Sequence, residues 1–311
     1  MTPPRVLTTA AQFRTALTET VLALPAREGG RPPVVGLVPT MGALHEGHAA
    51  LLDAAHATAD VVIASLFVNP LQFDDPEDHR LYPRDMDGDL ALLAAHGAQL
   101  VFAPSTEEMY PGHPDGPLVT VTAGGLGRRY EGAHRPGHFD GVATVVTKLF
   151  SIMAPPAPAA LEAWFGRKDA EQVAVIARMV EDLSLPVRVR TVPVVRDEHG
   201  LAMSSRNRRL SDDDHTSALS LSRTLTELRG RAAAGEPLDV DGLSAALHAR
   251  DDVDLDYLVV ADPRTLRPAD LTDEGTLTGP ALGLIAARVG GVRLIDNMDL
   301  EPLTRNEEHL P

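Results

Sequence analysis

The chain has 311 residues, and because domains usually contain about 100 to 200 residues, this length predicts two domains. Hydrophobic residues form 44% of the chain and charged residues 23%, which excludes the composition of a disordered protein. A formal net charge of -16 disfavours a nucleic-acid partner, because an acidic field repels phosphate backbones. The sequence contains no cysteine, so its chemistry must depend on histidine, lysine, serine, arginine or carboxylate side chains.

Membrane insertion and secretion are not indicated by the sequence. The longest apolar runs, such as residues 61–68, are much shorter than the roughly 20 residues of a membrane-spanning helix. The first residues carry one basic side chain and no continuous apolar run, which is unlike a secretory signal. The sequence therefore predicts a cytoplasmic protein with no membrane span.

Hydrophobic patterns alternate between strands and helices in the first two thirds of the chain. The apolar run 34–38 predicts a buried strand, residues 48–59 predict a helix, and residues 60–68 predict a second strand. These two strands should be parallel, because a helix connects them. The alternation continues through helices at 85–96, 142–153 and 168–183 and strands at 99–103, 161–165 and 187–192. This order predicts a Rossmann-like, doubly wound parallel sheet domain of the α/β class.

The pattern changes after residue 196, which indicates a smaller α+β domain. A polar loop precedes a helix at 212–234, a second helix follows a Gly-Glu-Pro breaker, and strands are predicted at 256–260, 282–288 and 292–295. The predicted boundary lies near residue 194, which gives domains of 1–194 and 195–311.

An HxGH motif, His45-Glu46-Gly47-His48, follows the first predicted strand and opens the first predicted helix. Ligands bind at the carboxyl ends of strands in an open parallel sheet, and a helix N-terminus there offers backbone N–H groups to phosphate. The two imidazoles add further donors. A zinc site is less favoured, because no third ligand is indicated nearby. The motif predicts nucleotide binding but not the substrate.

Two further polar segments lie where this topology can use them. Lys168 follows the strand at 161–165 at a second strand-to-helix junction, which favours a contact with phosphate. Ser204, Ser205 and Arg206 follow Met203 in a polar loop just after the first domain. Hydroxyl and guanidinium groups in such a loop are suited to closing over a triphosphate, although a plain interdomain linker has the same composition.

Six sequence blocks occur together and in order: PTMGALHEGH, SLFVNPLQF, YPRDMDGDL, RPGHFDGVATVVTKLF, FGRKDAEQ and GLAMSSRN. In content and order they resemble the pantothenate synthetase family, the pantoate–β-alanine ligases of the HxGH nucleotidyltransferase superfamily. The resemblance extends over most of residues 34–210, and DYLVV at 256–260 and GGVRLIDN at 290–297 also resemble the end of that family.

The resemblance implies ATP-dependent ligation of pantoate and β-alanine to pantothenate through a pantoyl-adenylate, with release of AMP and pyrophosphate. It implies Mg²⁺ as a cofactor, with Asp89 as a candidate metal ligand, and Gln72 and Gln172 as the side chains that bind pantoate. His48 matches the catalytic histidine, and His45, Lys168, Ser204, Ser205 and Arg206 complete the catalytic set. The implied ATP site consists of Met41, Gly42, Ala43, Leu44, His45, Glu46, Gly47, His48, Gly166, Arg167, Lys168, Asp169, Val195, Met203, Ser204, Ser205 and Arg206.

The resemblance also implies that domain 1–194 binds ATP and pantoate and that domain 195–311 closes over the site. A homodimer is expected, with the apolar, strand-like segment 118–122 as its sequence signal. The sequence departs from the family pattern at Arg167, at Asp74-Asp75 and in the segment MAPPAPAALEAW.

Two other functions are compatible with the HxGH motif. A nucleotidylyltransferase shares the motif and fold, but it has no need for the paired glutamines, so Gln72 and Gln172 favour the ligase. A nucleotide-binding module without catalysis would show no turnover. A fragment of a tRNA ligase is disfavoured by the acidic charge.

Overall fold

The computed structural model describes residues 3–25, 30–73 and 76–303. Asp74 and Asp75, where the sequence departs from the family pattern, lie outside these ranges. The chain forms two compact units. The first consists of Met1–Arg167 and Glu171–Val195, and the second of Lys168–Ala170 and Arg196–Pro311.

The first unit contains a six-stranded sheet in which every pairing is parallel. Its strands are β1 (Arg5–Leu7), β2 (Val34–Thr40), β3 (Val61–Leu66), β4 (Leu100–Phe102), β5 (Ala160–Gly166) and β6 (Val187–Val192). They lie in the order β1-β4-β3-β2-β5-β6. All six residues of β3 are buried, as expected for a parallel strand that is covered on both faces. This sheet confirms the Rossmann-like α/β class.

Helices connect the strands of this sheet. Those described are α1 (Ala10–Leu22), α2 (Glu46–His56), α3 (Pro76–Leu81), α4 (Met86–Ala95), α5 (Thr106–Met109), α6 (Tyr130–His134), α7 (His138–Ile152) and α8 (Ala170–Asp182). Helix α7 begins four residues before its predicted start, because Gly137 adopts φ 85° and turns the chain directly into the helix, where Phe139 is buried. Segment 118–122 is not a strand: it is irregular, and Leu118 and Val119 are 93% and 84% exposed.

The second unit contains an antiparallel sheet of three strands covered by helices. Its elements are α9 (Asp212–Ala234), α10 (Val240–His248), β7 (Asp254–Ala261), β8 (Ala281–Val289) and β9 (Val292–Leu300). Strands β8 and β9 form a hairpin, and its turn requires glycine because Gly290 and Gly291 adopt φ 55° and 76°. Leu225 of α9 and Ile285 of β8 belong to its core and are fully buried. The smaller α+β region is therefore confirmed.

Within the described residues, the structure has no helix that combines the length and apolar character required to cross a membrane.

Candidate active site

The carboxyl edge of the parallel sheet collects several of the predicted site residues. The chain leaves β2 for β3 on one side and later returns to β5 on the other, so the strand order changes direction at β2. Such a switch point opens a crevice at the carboxyl ends of the strands, where ligands of α/β proteins bind. Segment 41–48 follows β2, Gln72 follows β3, and Gly166 ends β5.

The loop between β2 and α2 is held in a constrained shape. Gly42 and Ala43 both have positive φ values, 89° and 53°, and the second is costly for a residue with a side chain. Asp89 of α4, only 5% exposed, compensates by accepting the backbone N–H of Ala43 at 3.0 Å and of Leu44 at 2.7 Å. A β-carbon at Gly42 would lie 2.9 Å from Asp89 Oδ2, so the loop and this carboxylate fit closely together.

The two histidines of the HxGH motif cap helix α2. His45 is the N-cap residue, and its Nδ1 accepts the backbone N–H of Gly47 at 3.1 Å. The Nδ1 of His48 accepts the backbone N–H of His45 at 3.3 Å, and the two ring centroids are 4.3 Å apart. Because both Nδ1 atoms accept, the neutral tautomer carries its proton on Nε2 in each ring. Each imidazole is thus prepared to use Nε2 as a donor beside a helix N-terminus.

The two predicted pantoate residues differ in their surroundings. Gln72 ends a 3-10 turn, Pro70–Gln72, and is 7% exposed, with its Oε1 accepting from Asn69 Nδ2 at 2.8 Å. Gln172 lies in the first turn of α8 and is half-buried. Both belong to the first unit, and Gln72 is the more buried of the two.

The second unit brings Lys168 together with residues that lie about 36 positions away in the sequence. Lys168, Ser204 and Arg206 line one small pocket, together with Asn207, Arg293 and Asp296. The Nζ of Lys168 is 3.3 Å from Asp169 Oδ1. Ser204 is the N-cap of the 3-10 turn Ser205–Arg209, and its Oγ accepts the backbone N–H of Arg206 at 3.3 Å. Cationic and hydroxyl groups in one pocket suit an anionic ligand.

A buried polar network of the second unit holds the backbone of Lys168. Asn297 of β9 donates from Nδ2 to the Lys168 carbonyl at 2.7 Å. Its neighbour Asp296, 4% exposed, accepts both guanidinium nitrogens of Arg196 at 2.7 and 3.0 Å. Arg196 also donates to the Asn297 carbonyl at 3.3 Å, which links the pair to the strand. The GGVRLIDN block therefore ends in residues that fix the position of Lys168.

The remaining predicted residues occupy loops and junctions. Met41 follows β2, Glu46 opens α2 on an exposed position, and Arg167 directly follows β5. Val195 closes the last segment of the first unit, while Met203 and Ser205 flank Ser204 in the second. Across residues 3–25, 30–73 and 76–303, no three His, Asp or Glu side chains gather as a metal-binding group.

Sequence reasoning overlooked the residues that support these side chains. Asn69 donates a hydrogen bond to the Gln72 side chain, and Tyr110 donates one to Asn69. Asn297 donates a hydrogen bond to the Lys168 carbonyl. Asn69 stands before a proline in the NPLQF block, which is a signal for a capped turn. Tyr110 carried no comparable signal, because its hydrogen bond joins residues 41 positions apart.

The parallel sheet, the switch point at β2 and the HxGH cap of α2 define a Rossmann-like α/β protein whose candidate site has the arrangement typical of nucleotide binding. The sequence matches the family described as pantoate-beta-alanine ligase over residues 5–299. The chain belongs to this family.

Individual relatives agree with this assignment. The chain is 55% identical over 269 residues to the pantothenate synthetase of Corynebacterium glutamicum (strain R), covering 86% of this chain and 93% of the relative. The crystal structure of pantothenate synthetase from Thermus thermophilus superposes with a TM-score of 0.81 at 43% identity, covering 96% of this chain and 100% of that one. The ligase of Francisella tularensis, complexed with beta-gamma ATP and beta-alanine, has a TM-score of 0.69 at 29% identity, covering 95% and 97%.

Proposed function

We propose that the chain catalyses the ATP-dependent ligation of pantoate and β-alanine to pantothenate through a pantoyl-adenylate. The observation that carries this proposal is the paired-histidine cap of α2 at the carboxyl end of β2, in a chain of the pantoate-beta-alanine ligase family. The complex of the Francisella tularensis ligase with beta-gamma ATP and beta-alanine supports ATP and β-alanine as substrates.

The reaction must first activate a carboxylate, which is a poor electrophile. A carboxylate oxygen of pantoate forms a bond to the α-phosphorus of ATP, the bond from that phosphorus to the bridging oxygen breaks, and pyrophosphate leaves. The neutral amine of β-alanine then attacks the acyl carbon of the adenylate. The bond from this carbon to the AMP oxygen breaks, and the amide forms with loss of one proton. Exclusion of water protects the mixed anhydride from hydrolysis.

The first unit supplies the groups for substrate orientation in this proposal. His45 and His48 donate from Nε2 to phosphate oxygens, where the negative charge shifts as pyrophosphate departs. Gln72 and Gln172 hold pantoate through hydrogen bonds without adding charge. The unit uses positioned dipoles rather than a covalent intermediate on the enzyme.

The second unit supplies positive charge. Lys168 and Arg206 neutralise phosphate, and Ser204 and Ser205 donate hydroxyl hydrogen bonds, while Met203 and Asp169 complete the wall of the nucleotide site. In terms of domains, we propose that 1–194 binds ATP and pantoate and that 195–311 closes over the bound nucleotide. The shared pocket of Lys168, Ser204 and Arg206 supports their assignment to one ligand.

Magnesium is expected with ATP, but the described residues do not fit a protein-built site for it. Both oxygens of Asp89 accept backbone amides of loop 41–44. No third carboxylate or imidazole joins a metal-binding group in the described ranges. We therefore assign Asp89 to the loop and propose that Mg²⁺ arrives as the ATP complex, since it is commonly held by substrate phosphates.

A homodimer and a cytoplasmic location are part of the same proposal. The exposed side chains of Leu118 and Val119 support a dimer, because large apolar groups at the surface favour association. Light scattering at micromolar concentration should give twice the chain mass, and a monomer mass would contradict the dimer. Cell fractionation tests the location.

A product assay tests the function. The purified chain is incubated with ATP and Mg²⁺ plus pantoate alone, β-alanine alone, or both. We expect stoichiometric AMP and pantothenate only with both acids, and pantoate-dependent exchange of labelled pyrophosphate into ATP without β-alanine. Transfer of AMP to a phosphorylated acceptor would instead indicate a nucleotidylyltransferase, and nucleotide binding without any turnover would indicate a binding module.

The two glutamines separate substrate from nucleotide recognition. Gln72→Ala and Gln172→Ala should each raise the KM for pantoate at least about tenfold while leaving the KM for ATP nearly unchanged, because a site built to hydrogen-bond a small acid loses its partners. The opposite pattern would place both residues in the nucleotide site. It would also remove the main argument against a nucleotidylyltransferase.

A further inference from the structure

The backbone of Gln72 is held in place by hydrogen bonds and close packing that do not involve its side chain. The Gln72 carbonyl accepts from Arg135 Nη2 at 2.9 Å and from His138 Nδ1 at 2.9 Å. Gly141 of α7 packs against the same turn so closely that a β-carbon there would overlap the Leu71 carbonyl. The backbone of Gln72 therefore cannot shift without displacing the start of α7.

The amide of Asn69 has only one orientation that satisfies its partners. The backbone N–H of Leu71 donates to Asn69 Oδ1 at 3.3 Å, and Asn69 Nδ2 donates to the Gly141 carbonyl at 3.1 Å. A backbone N–H can only donate and a carbonyl can only accept, so exchanging the oxygen and nitrogen would lose both bonds. The second Nδ2 hydrogen is then directed to Gln72 Oε1 at 2.8 Å.

Tyr110 completes this arrangement from the protein core. Its hydroxyl donates to Asn69 Oδ1 at 2.9 Å, and its side chain is fully buried. Burial raises the pKa of the Tyr110 phenol, so the group keeps its proton and remains a donor. All the hydrogen-bonding capacity of the Asn69 side chain is thereby used: two bonds are accepted at Oδ1 and two are donated from Nδ2.

We infer that Tyr110 and Asn69 are positioning residues that turn the Gln72 amide so that Oε1 faces the protein and Nε2 faces the substrate. Gln72 therefore recognises its ligand as a donor, and the matching group on the substrate is an acceptor, a hydroxyl or carboxylate oxygen of a small acid. The inference rests on the proposed role of Gln72 in binding pantoate.

The experiment is a double-mutant cycle between Tyr110→Phe and Gln72→Ala, with KM for pantoate, KM for ATP and kcat measured for each protein. Removing the hydroxyl should raise the KM for pantoate about fivefold, the scale of one net hydrogen bond, without changing the KM for ATP. In the Gln72→Ala background the same substitution should have no further effect, because the side chain that it orients is absent.

Two further variants test the direction of the hydrogen bond. Gln72→Glu keeps the shape but replaces the donor with an acceptor, so it should raise the KM for pantoate more than Gln72→Ala does. Asn69→Asp removes the donor to Gln72 Oε1 and should produce the same selective rise as Tyr110→Phe, which keeps the test available if the tyrosine variant folds poorly. A Gln72→Glu variant that binds pantoate as well as the unmodified chain would overturn the donor assignment.

Ser222→Ala is the matched control, because it also removes one buried hydroxyl oxygen and one hydrogen bond, to the Leu219 carbonyl at 3.1 Å in α9. It should leave both KM values unchanged. If Gln72→Ala itself leaves the KM for pantoate unchanged, the proposed role of Gln72 is wrong. If Gln72→Ala raises it and Tyr110→Phe does not, or does so equally in the Gln72→Ala background, the positioning role alone is wrong.

Discussion

The two segments proposed to contact phosphate are built differently. Loop 41–48 in the first unit has two residues at positive φ, a buried carboxylate on its amides and a helix capped by paired histidines. Segment 203–209 in the second unit is a short 3-10 turn capped by Ser204, and its arginines at 206, 208 and 209 are exposed. The first segment is preorganised, and the second presents long side chains that can adapt to a ligand.

This difference indicates a division of work. Preorganised donors stabilise charge in a transition state without reorganisation, so they should dominate kcat. The long cationic side chains of the second segment become ordered only on a bound ligand, so they should mainly influence nucleotide affinity. Substitutions in the rigid segment should therefore reduce turnover more strongly than substitutions in the residues that support the second unit.

The largest effect is expected from His48→Ala. The substitution removes a donor from the preorganised cap, so kcat should fall at least about a hundredfold, the scale of losing one transition-state donor. Thermal unfolding should change only by the loss of one cap hydrogen bond, so the variant should remain folded. His56→Ala, at the other end of α2, is the control and should retain activity. A folded His48→Ala protein with near-normal turnover would exclude His48 from the mechanism.

Asp89→Ala is expected to have the next largest effect. It leaves the amides of Ala43 and Leu44 without their acceptor, which should reduce kcat/KM by about tenfold or more and lower the free energy of unfolding by about 2 kcal/mol. Asp89→Asn keeps one acceptor and should give intermediate values of kcat/KM and of the free energy of unfolding. Asp87→Ala, at an exposed position, should change neither quantity. Recovery of the lost activity by excess Mg²⁺ would instead favour Asp89 as a metal ligand.

A smaller effect is expected from Asn297→Ala in the second unit. Loss of the 2.7 Å bond to the Lys168 carbonyl should let this lysine shift and raise the KM for ATP about threefold to fivefold, with a smaller change in kcat. Steady-state kinetics with varied ATP would measure it. Asp299→Ala, exposed on the same strand, serves as the control. A loss of kcat as large as that of His48→Ala would refute the proposed division of work.

The smallest effect on activity is expected from Glu162→Gln, which should alter stability instead. Hydrogen bonds from Arg190 and then Arg188 hold the pKa of the buried Glu162 carboxyl below its ordinary value of about 4.3. The ionised Glu162, with Arg188 and Arg190, therefore stabilises the fold at pH values above the ordinary pKa of a glutamate. This contribution is lost as the pH falls through the lowered pKa of Glu162.

Thermal unfolding measured from neutral pH to below about pH 4 checks this sign. Glu162→Gln should lower Tm at neutral pH, and the difference from the unmodified chain should shrink in acid. Glu19→Gln breaks the exposed pair with Arg5, whose side chains are 63% and 58% exposed, and should change Tm little at any pH. A Tm difference that persists unchanged in acid would show that the ionised Glu162 carboxylate is not the source of the stabilisation.

The sequence determined the elements whose signals are local. Strand β6 and helix α9 have the predicted bounds, because the alternation of valine with polar residues in VRVRTV specifies the strand, and the Ser211 cap and Gly235 at φ 68° specify the ends of the helix. The HxGH motif gave its position at a helix start for the same reason. Segment 118–122 is predicted as strand-like from its apolar residues but is irregular, because such residues form a strand only where another strand is available to pair with them.

The tertiary structure alone decided which distant residues support the site. Tyr110 reaches Asn69 across 41 positions, Asp89 reaches Leu44 across 45, and Asn297 reaches Lys168 across 129. These bonds have no local signature, because a tyrosine, an aspartate or an asparagine is compatible with many surroundings until the packing of the sheet and helices brings its partner within about 3 Å. Local sequence patterns identify the candidate groups for chemistry, and long-range packing determines the orientation of those groups.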